Sequence, residues 1–211
     1  MTLLKLSNLG WLALLAAMAG SANNACSNSP GPPSEAFLAA TLGPGSLNGV
    51  NDAPACSMQA SVDWQIGNNT ANKPLEYQDG SHQGAGSVHV FCSVDSSGDG
   101  FNIDLSAQIL GTDMSGSMSV SGFVNTTGTS TGLRGIFATM GQQFVDNNCT
   151  FTQTYNGGPL PSGSEPASGR IWGHIDCPNA IEGGMFGTGV DGGAVLRTCE
   201  GTADFLFENC N

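Results

Sequence analysis

The stretch SVHVFCSVDSSGDGFNIDLSAQILG, residues 87–111, constrains the fold more than any other part of the chain. Val88, Val90, Cys92 and Val94 recur at every second position, as do Phe101, Ile103, Leu105, Ala107 and Ile109. A period of two places each set on one face of an extended strand, with that face buried and the other wet. Between the two sets, DSSGDG supplies the Asp and Gly that tolerate a chain reversal, so the stretch predicts an antiparallel hairpin.

The same period runs through most of the chain on either side of this hairpin. Val62, Trp64 and Ile66 alternate with polar residues in SVDWQIG, and SMSVSGFVN and GLRGIFATM read as further strands. Cys149, Phe151, Gln153 and Tyr155 alternate with Thr150, Thr152 and Thr154; Ile171, Ile175 and Cys177 share a face of RIWGHIDCP. AVLRTCEG and TADFLFENC read as two closing strands, and only SEAFLAAT, behind a capping Ser34, reads as a short helix. Roughly nine or ten strands between turn signals predict an all-β fold, a single antiparallel two-layer sandwich of jelly-roll type, with a barrel as the alternative. The predicted domain spans 56–211, behind a flexible tether and lead-in segment at 23–55.

The 31 glycines fit the many turns, but within strands they contribute no side chain and cost backbone entropy. Disulfides offset such a deficit by about 2–4 kcal/mol each. Seven cysteines are present, and setting Cys26 aside leaves Cys56, Cys92, Cys149, Cys177, Cys199 and Cys210 for three bridges. Cys149–Cys177 and Cys199–Cys210 are the pairings expected from proximity in the chain. No C-x-x-C pair or Cys–His cluster suggests a structural metal.

Residues 1–22 have the layout of an export signal, with Lys5, the apolar WLALLAAMAG and small residues allowing cleavage after Ala22 or Ala25. Cys26, flanked by Ala25 and Ser27 and followed by the Pro- and Gly-bearing SNSPGPPSE, is a candidate lipidation site. Asn23 and Asn24 depart from the usual lipidation box; the alternative is a Cys26–Cys56 bridge that leaves another thiol free. The expected location is therefore outside the cytoplasm, as an outer-membrane lipoprotein or a secreted protein. Membrane contact is expected only through a lipid on Cys26.

A formal charge of −12, with only Lys73, Arg134, Arg170 and Arg197 as cations beyond the leader, excludes the clustered basic residues that bind nucleic acid or anionic lipid. Residues that could carry chemistry are sparse. Asp95, Asp99 and Asp104 bring carboxylates near the DSSGDG turn and make a weak calcium candidate, although Ser106 stands where an EF-hand needs its bidentate Glu. No G-x-S-x-G elbow or phosphate loop occurs. Trp172, His174 and Asp176 share one face of RIWGHIDCP and could bind a sugar by stacking and hydrogen bonding, unless that face packs beneath a loop.

The signal, the near-terminal cysteine, the tether and a Gly/Ser-rich β domain ending in RIWGHIDCP and CEGTADFLFENC resemble exported or lipid-anchored envelope proteins of myxobacteria and related Gram-negative bacteria. The resemblance implies no activity, cofactor or catalytic residue. The expectation is a non-catalytic binding or structural module of the cell envelope, without cofactor, facing an unknown protein or glycan. The alternative is a secreted glycan hydrolase built on His174 and the acidic C-terminal strands, which carry Asp176, Glu200, Asp204 and Glu208.

Overall fold

The computed structural model describes residues 31–44, 56, 58, 60–111, 115–139, 141–183 and 198–211. The export signal, both cleavage positions, Cys26 and most of the tether lie outside the described residues. Those described form strands β1 (Glu35–Gly43), β2 (Val62–Ile66), β3 (Tyr77–Gln78), β4 (His82–Gln83), β5 (Gly86–Ser97), β6 (Gly100–Leu110) and β7 (Ser115–Asn125). They continue as β8 (Thr129–Thr139), β9 (Gln142–Thr152), β10 (Thr154–Tyr155), β11 (Gly158–Pro159), β12 (Ile171–Glu182) and β13 (Thr198–Glu208).

The fold is all-β, antiparallel and stapled by three disulfides, as expected. Its main strands form one continuous sheet in the order β2-β1-β13-β12-β9-β8-β7-β6-β5-β4, with β3 on β1. The sheet curls nearly into a barrel, so its opposed walls supply the two layers, and its order is that of a meander, not a jelly roll. The Tyr77–Gln83 strap joins the two edges: β3 pairs with β1, and β4 pairs with β5. Asp79 adds to the closure, its N–H donating to Ser34 O and its carboxylate accepting from Val90 N at 2.9 Å. The chain end adds a second stitch, through Val94 N to Asn211 O, Asn211 N to Cys92 O, and Cys92–Cys210.

The predicted β5–β6 hairpin is present, with all nine alternating residues buried and an unbroken register from Ser87↔Leu110 to Ser97↔Gly100. Two other expectations fail for physical reasons. SEAFLAAT is no helix: Glu35–Gly43 is a strand in mid-sheet, so the folded domain begins well before residue 56. Ala36, Leu38, Ala40 and Leu42 face the core while Phe37 is buried on the opposite face, and that two-sided burial hides the period of two. Cys199–Cys210 is likewise absent, because the described residues of both expected closing strands run on as the one strand β13. About eleven residues at 3.3 Å each put the two cysteines roughly 35 Å apart. The pairs are instead Cys56–Cys199, Cys92–Cys210 and the expected Cys149–Cys177.

Inside, Phe137, Phe144, Phe151, Phe205 and Phe207 are fully buried, each contributing about 1.5–3 kcal/mol by leaving water. Strand glycines make room for them. A Cβ on Gly201 would stand 2.6 Å from the Phe137 ring, one on Gly173 2.2 Å from Phe151, and one on Gly116 2.5 Å from Trp64. Gly135 lies beneath the third disulfide, where a Cβ would meet Cys177 Sγ at 2.4 Å and Cys149 Sγ at 2.6 Å. These glycines thus tighten the core of a narrow barrel; they do not loosen it. Buried Asp146 pins two bulges together, accepting from Asn148 N at 2.8 Å and Asn179 N at 2.9 Å.

Candidate functional site

Because the described core is filled by side chains, a ligand site has to lie on the outside of the sheet. Two cross-strand rows supply one. In the first, Thr152, His174, Asp204, Ala39 and Gln65 are successive partners across β9, β12, β13, β1 and β2. In the second, Thr150, Asp176, Thr202, Thr41 and Asp63 trace the same path. Alternation along each strand turns these residues outward while Ile175, Ala203 and Ala40 fill the core.

Over these rows runs an open groove of about 570 Å³, lined by Thr41, Asp63, Gln65, His174, Thr202 and Asp204 among others. Its size is that of a small-molecule site. Gly67, Asn68 and Gln83 form one rim, held where Gly67 N donates to Gln83 Oε1 at 2.7 Å and Gln83 Nε2 to Gln65 O at 3.1 Å. Beyond Thr41 and Thr202 the depression continues into a cleft of about 170 Å³ that adds Gly43, Pro44, Ser61 and Glu200. The surface is thus elongated, hydroxyl-bearing and acidic.

Two polar pairs are preset within it. His174 Nδ1 lies 3.0 Å from Asp204 Oδ1, with the imidazole about a third exposed, and Thr41 Oγ1 donates to Asp63 Oδ1 at 2.7 Å. Cross-strand pairing puts His174 directly opposite Asp204, so the contact is a consequence of register alone. The Asp63 and Asp204 Cα positions stand two strands and two residues apart, roughly 12 Å from strand spacing and rise.

The residues expected to bind are treated differently by the fold. His174 lines the groove. Asp176 sits in the second row opposite Thr202, outside the groove lining, with Oδ1 buried and without a hydrogen-bond partner among the described residues. Trp172 is withdrawn: 2% exposed, it packs edge-on to Tyr155 at 5.1 Å beneath the segment bearing β10 and β11, with Phe37 and Leu206. It offers no ring face to a sugar. Asp95, Asp99 and Asp104 do not converge either, for Asp95 pairs across from Asn102 and Asp104 from Ser93, spreading them along the hairpin. Among the described residues, the one trio of carboxylates with ligand atoms mutually within 4.8 Å is Glu35, Glu76 and Glu208. Sequence reasoning does not find Thr41, Asp63 and Gln65, since nothing local in β1 or β2 marks them as neighbours of β12.

Comparison with protein families, curated proteins and solved structures finds no match to this chain, so the site rests on its own geometry.

Proposed function

We propose that the protein is an exported, non-catalytic binding module that holds a neutral glycan along the groove over β12, β13, β1 and β2. The observation carrying this reading is the elongated outer groove, in which His174, Asp204, Thr202, Thr41, Asp63 and Gln65 converge as hydrogen-bonding groups. Hydroxyls, amides and carboxylates in alternation match the donors and acceptors of a sugar chain. Carboxylates at the groove, with no Lys or Arg among the described residues that line it, oppose an anionic ligand. Three disulfides fit a protein that folds in an oxidising compartment. Export through residues 1–22, then retention through a lipid on Cys26 or release, would present the groove outside the cell.

Titration calorimetry of the mature chain against a panel of neutral oligosaccharides tests the proposal. Saturable binding is expected, weakened roughly 3- to 10-fold by Thr202→Val and by His174→Ala, as for a lost hydrogen bond. Absence of binding across the panel would overturn it. The His174–Asp204 contact favours a second reading, hydrolysis with His174 as an oriented base. Release of new reducing ends that disappears with His174→Ala would establish that reading instead.

A further inference from the structure

At the end of β1 and β13, outside the groove lining, three carboxylates are forced together. Glu35 and Glu208 are direct cross-strand partners, an arrangement that repulsion disfavours. Glu76, arriving just before β3, brings a third ligand oxygen within 4.8 Å of theirs. One ammonium serves two of them: Lys73 Nζ lies 2.9 Å from Glu208 Oε2 and 3.2 Å from Glu76 Oε2. Asn209, held at φ 56°, donates its amide to Glu35 Oε1 at 3.0 Å.

The balance does not close. The Glu76 side chain is only 10% exposed, and its Oε1 is buried with no hydrogen-bond donor among the described residues. A buried carboxylate oxygen without a donor calls for a ligand, and beside two further carboxylates that ligand is a hard cation. Lys73 does not block access, because its side chain is 51% exposed and can swing to water. We infer that Glu35, Glu76 and Glu208 form a calcium site that clamps the segment before β3 onto β1 and β13. Calcium is favoured over magnesium because three long side chains from separate segments suit an adaptable shell better than a strict octahedron. Since Asn68 bridges to Leu75, next to Glu76, the clamp would also steady a rim of the groove. The site is independent of what the groove binds.

The test is calorimetry and thermal melting of the mature, disulfide-bonded chain with calcium chloride and, separately, magnesium chloride. Expected are saturable calcium binding near the 10⁻⁴–10⁻³ M range of extracellular modules, weaker magnesium binding and a calcium-dependent rise in Tm. Glu76→Gln should weaken binding about 10-fold or more, and Lys73→Met should tighten it by removing the competing ammonium. Should Glu76→Gln not fold, Glu35→Gln carries the same expectation. No saturable binding in the natural chain, binding that appears only with Lys73→Met, or an unchanged affinity in both glutamine variants would overturn the site.

Discussion

The wall from β5 to β9 and the seam formed by β12, β13, β1, β2 and the strap are built from the same kind of strand but joined differently. In the wall every strand pairs with its chain neighbour, so hairpin turns set the register. In the seam, residues 35–43 pair with 200–208, and two of the disulfides span 143 and 118 residues. Closing such distant contacts costs more loop entropy. The groove, the carboxylate trio and Cys56–Cys199 fall in the seam, where sequence-distant side chains meet, and Cys92–Cys210 ties the end of the seam to β5 of the wall.

Removing the seam's covalent ties should therefore have the largest effect. Cys92→Ala with Cys210→Ala, or Cys56→Ala with Cys199→Ala, is expected to cost about 2–5 kcal/mol. At about 2–4 °C per kcal/mol, that lowers Tm by roughly 4–20 °C. The Cys149–Cys177 loop spans only 28 residues against 143 for Cys56–Cys199, so its loop-closure contribution is about 1.4 kcal/mol smaller. Urea midpoints of the double variants test this. Equal losses would mean that packing around buried Cys149 and Cys177, not loop closure, sets the scale.

Next come the interior glycines. Gly135→Ala drives a methyl group into the disulfide sulfurs and Gly201→Ala drives one into the Phe137 ring; each should cost about 1–3 kcal/mol, read by the same unfolding curves. Gly80→Ala, in open space but at φ 76°, separates backbone strain from crowding. Comparable losses at Gly80 and Gly201 would show that crowding is not the cause.

Legibility in the sequence divides along the same line. Val88 to Ile109 declare their strands because one face alone is buried, and Cys149–Cys177 is readable because adjacent strands β9 and β12 carry the two cysteines. Phe37 hides β1 by being buried on the outer face, and the run Thr198–Glu208 reads as two strands because Gly201 looks like a breaker but lies beneath Phe137. Of the expected site residues, His174 lines the groove because it faces outward in an uncovered row, whereas Trp172, two residues earlier on the same face, lies under Tyr155. Period fixes a face; only the return of a distant segment decides whether that face is wet.

Acidity should tune the seam through Glu76. Burial above all, then the charges of Glu208 and Glu35, push the Glu76 carboxyl up from 4.5 to about 7, against the opposing pull of Lys73. A carboxyl with a raised folded-state pKa keeps its proton longer in the folded than in the unfolded chain. Its contribution to stability is then greatest below about pH 4.5 and declines as pH rises to about 7. Measured in chelator, the decline should be present in the natural chain and shrink with Glu76→Gln. A slope unchanged by that substitution would assign it to other groups.

The smallest effect on stability is expected at the groove. His174 and Asp204 meet at 3.0 Å, but the imidazole is about a third exposed and the contact is bathed in solvent on one side. A partly exposed side-chain contact of this kind contributes on the order of 1 kcal/mol, so His174→Asn and Asp204→Asn should each shift the unfolding midpoint only slightly. Both should nonetheless weaken the proposed glycan binding, because a group turned to the groove is held by the sheet rather than holding it. This separation of effects distinguishes a site from a support. If Asp204→Asn lowered stability as far as Gly201→Ala, the pair would be part of what closes the β12–β13–β1 surface, and the proposed binding role would pass to Thr41, Asp63 and Thr202.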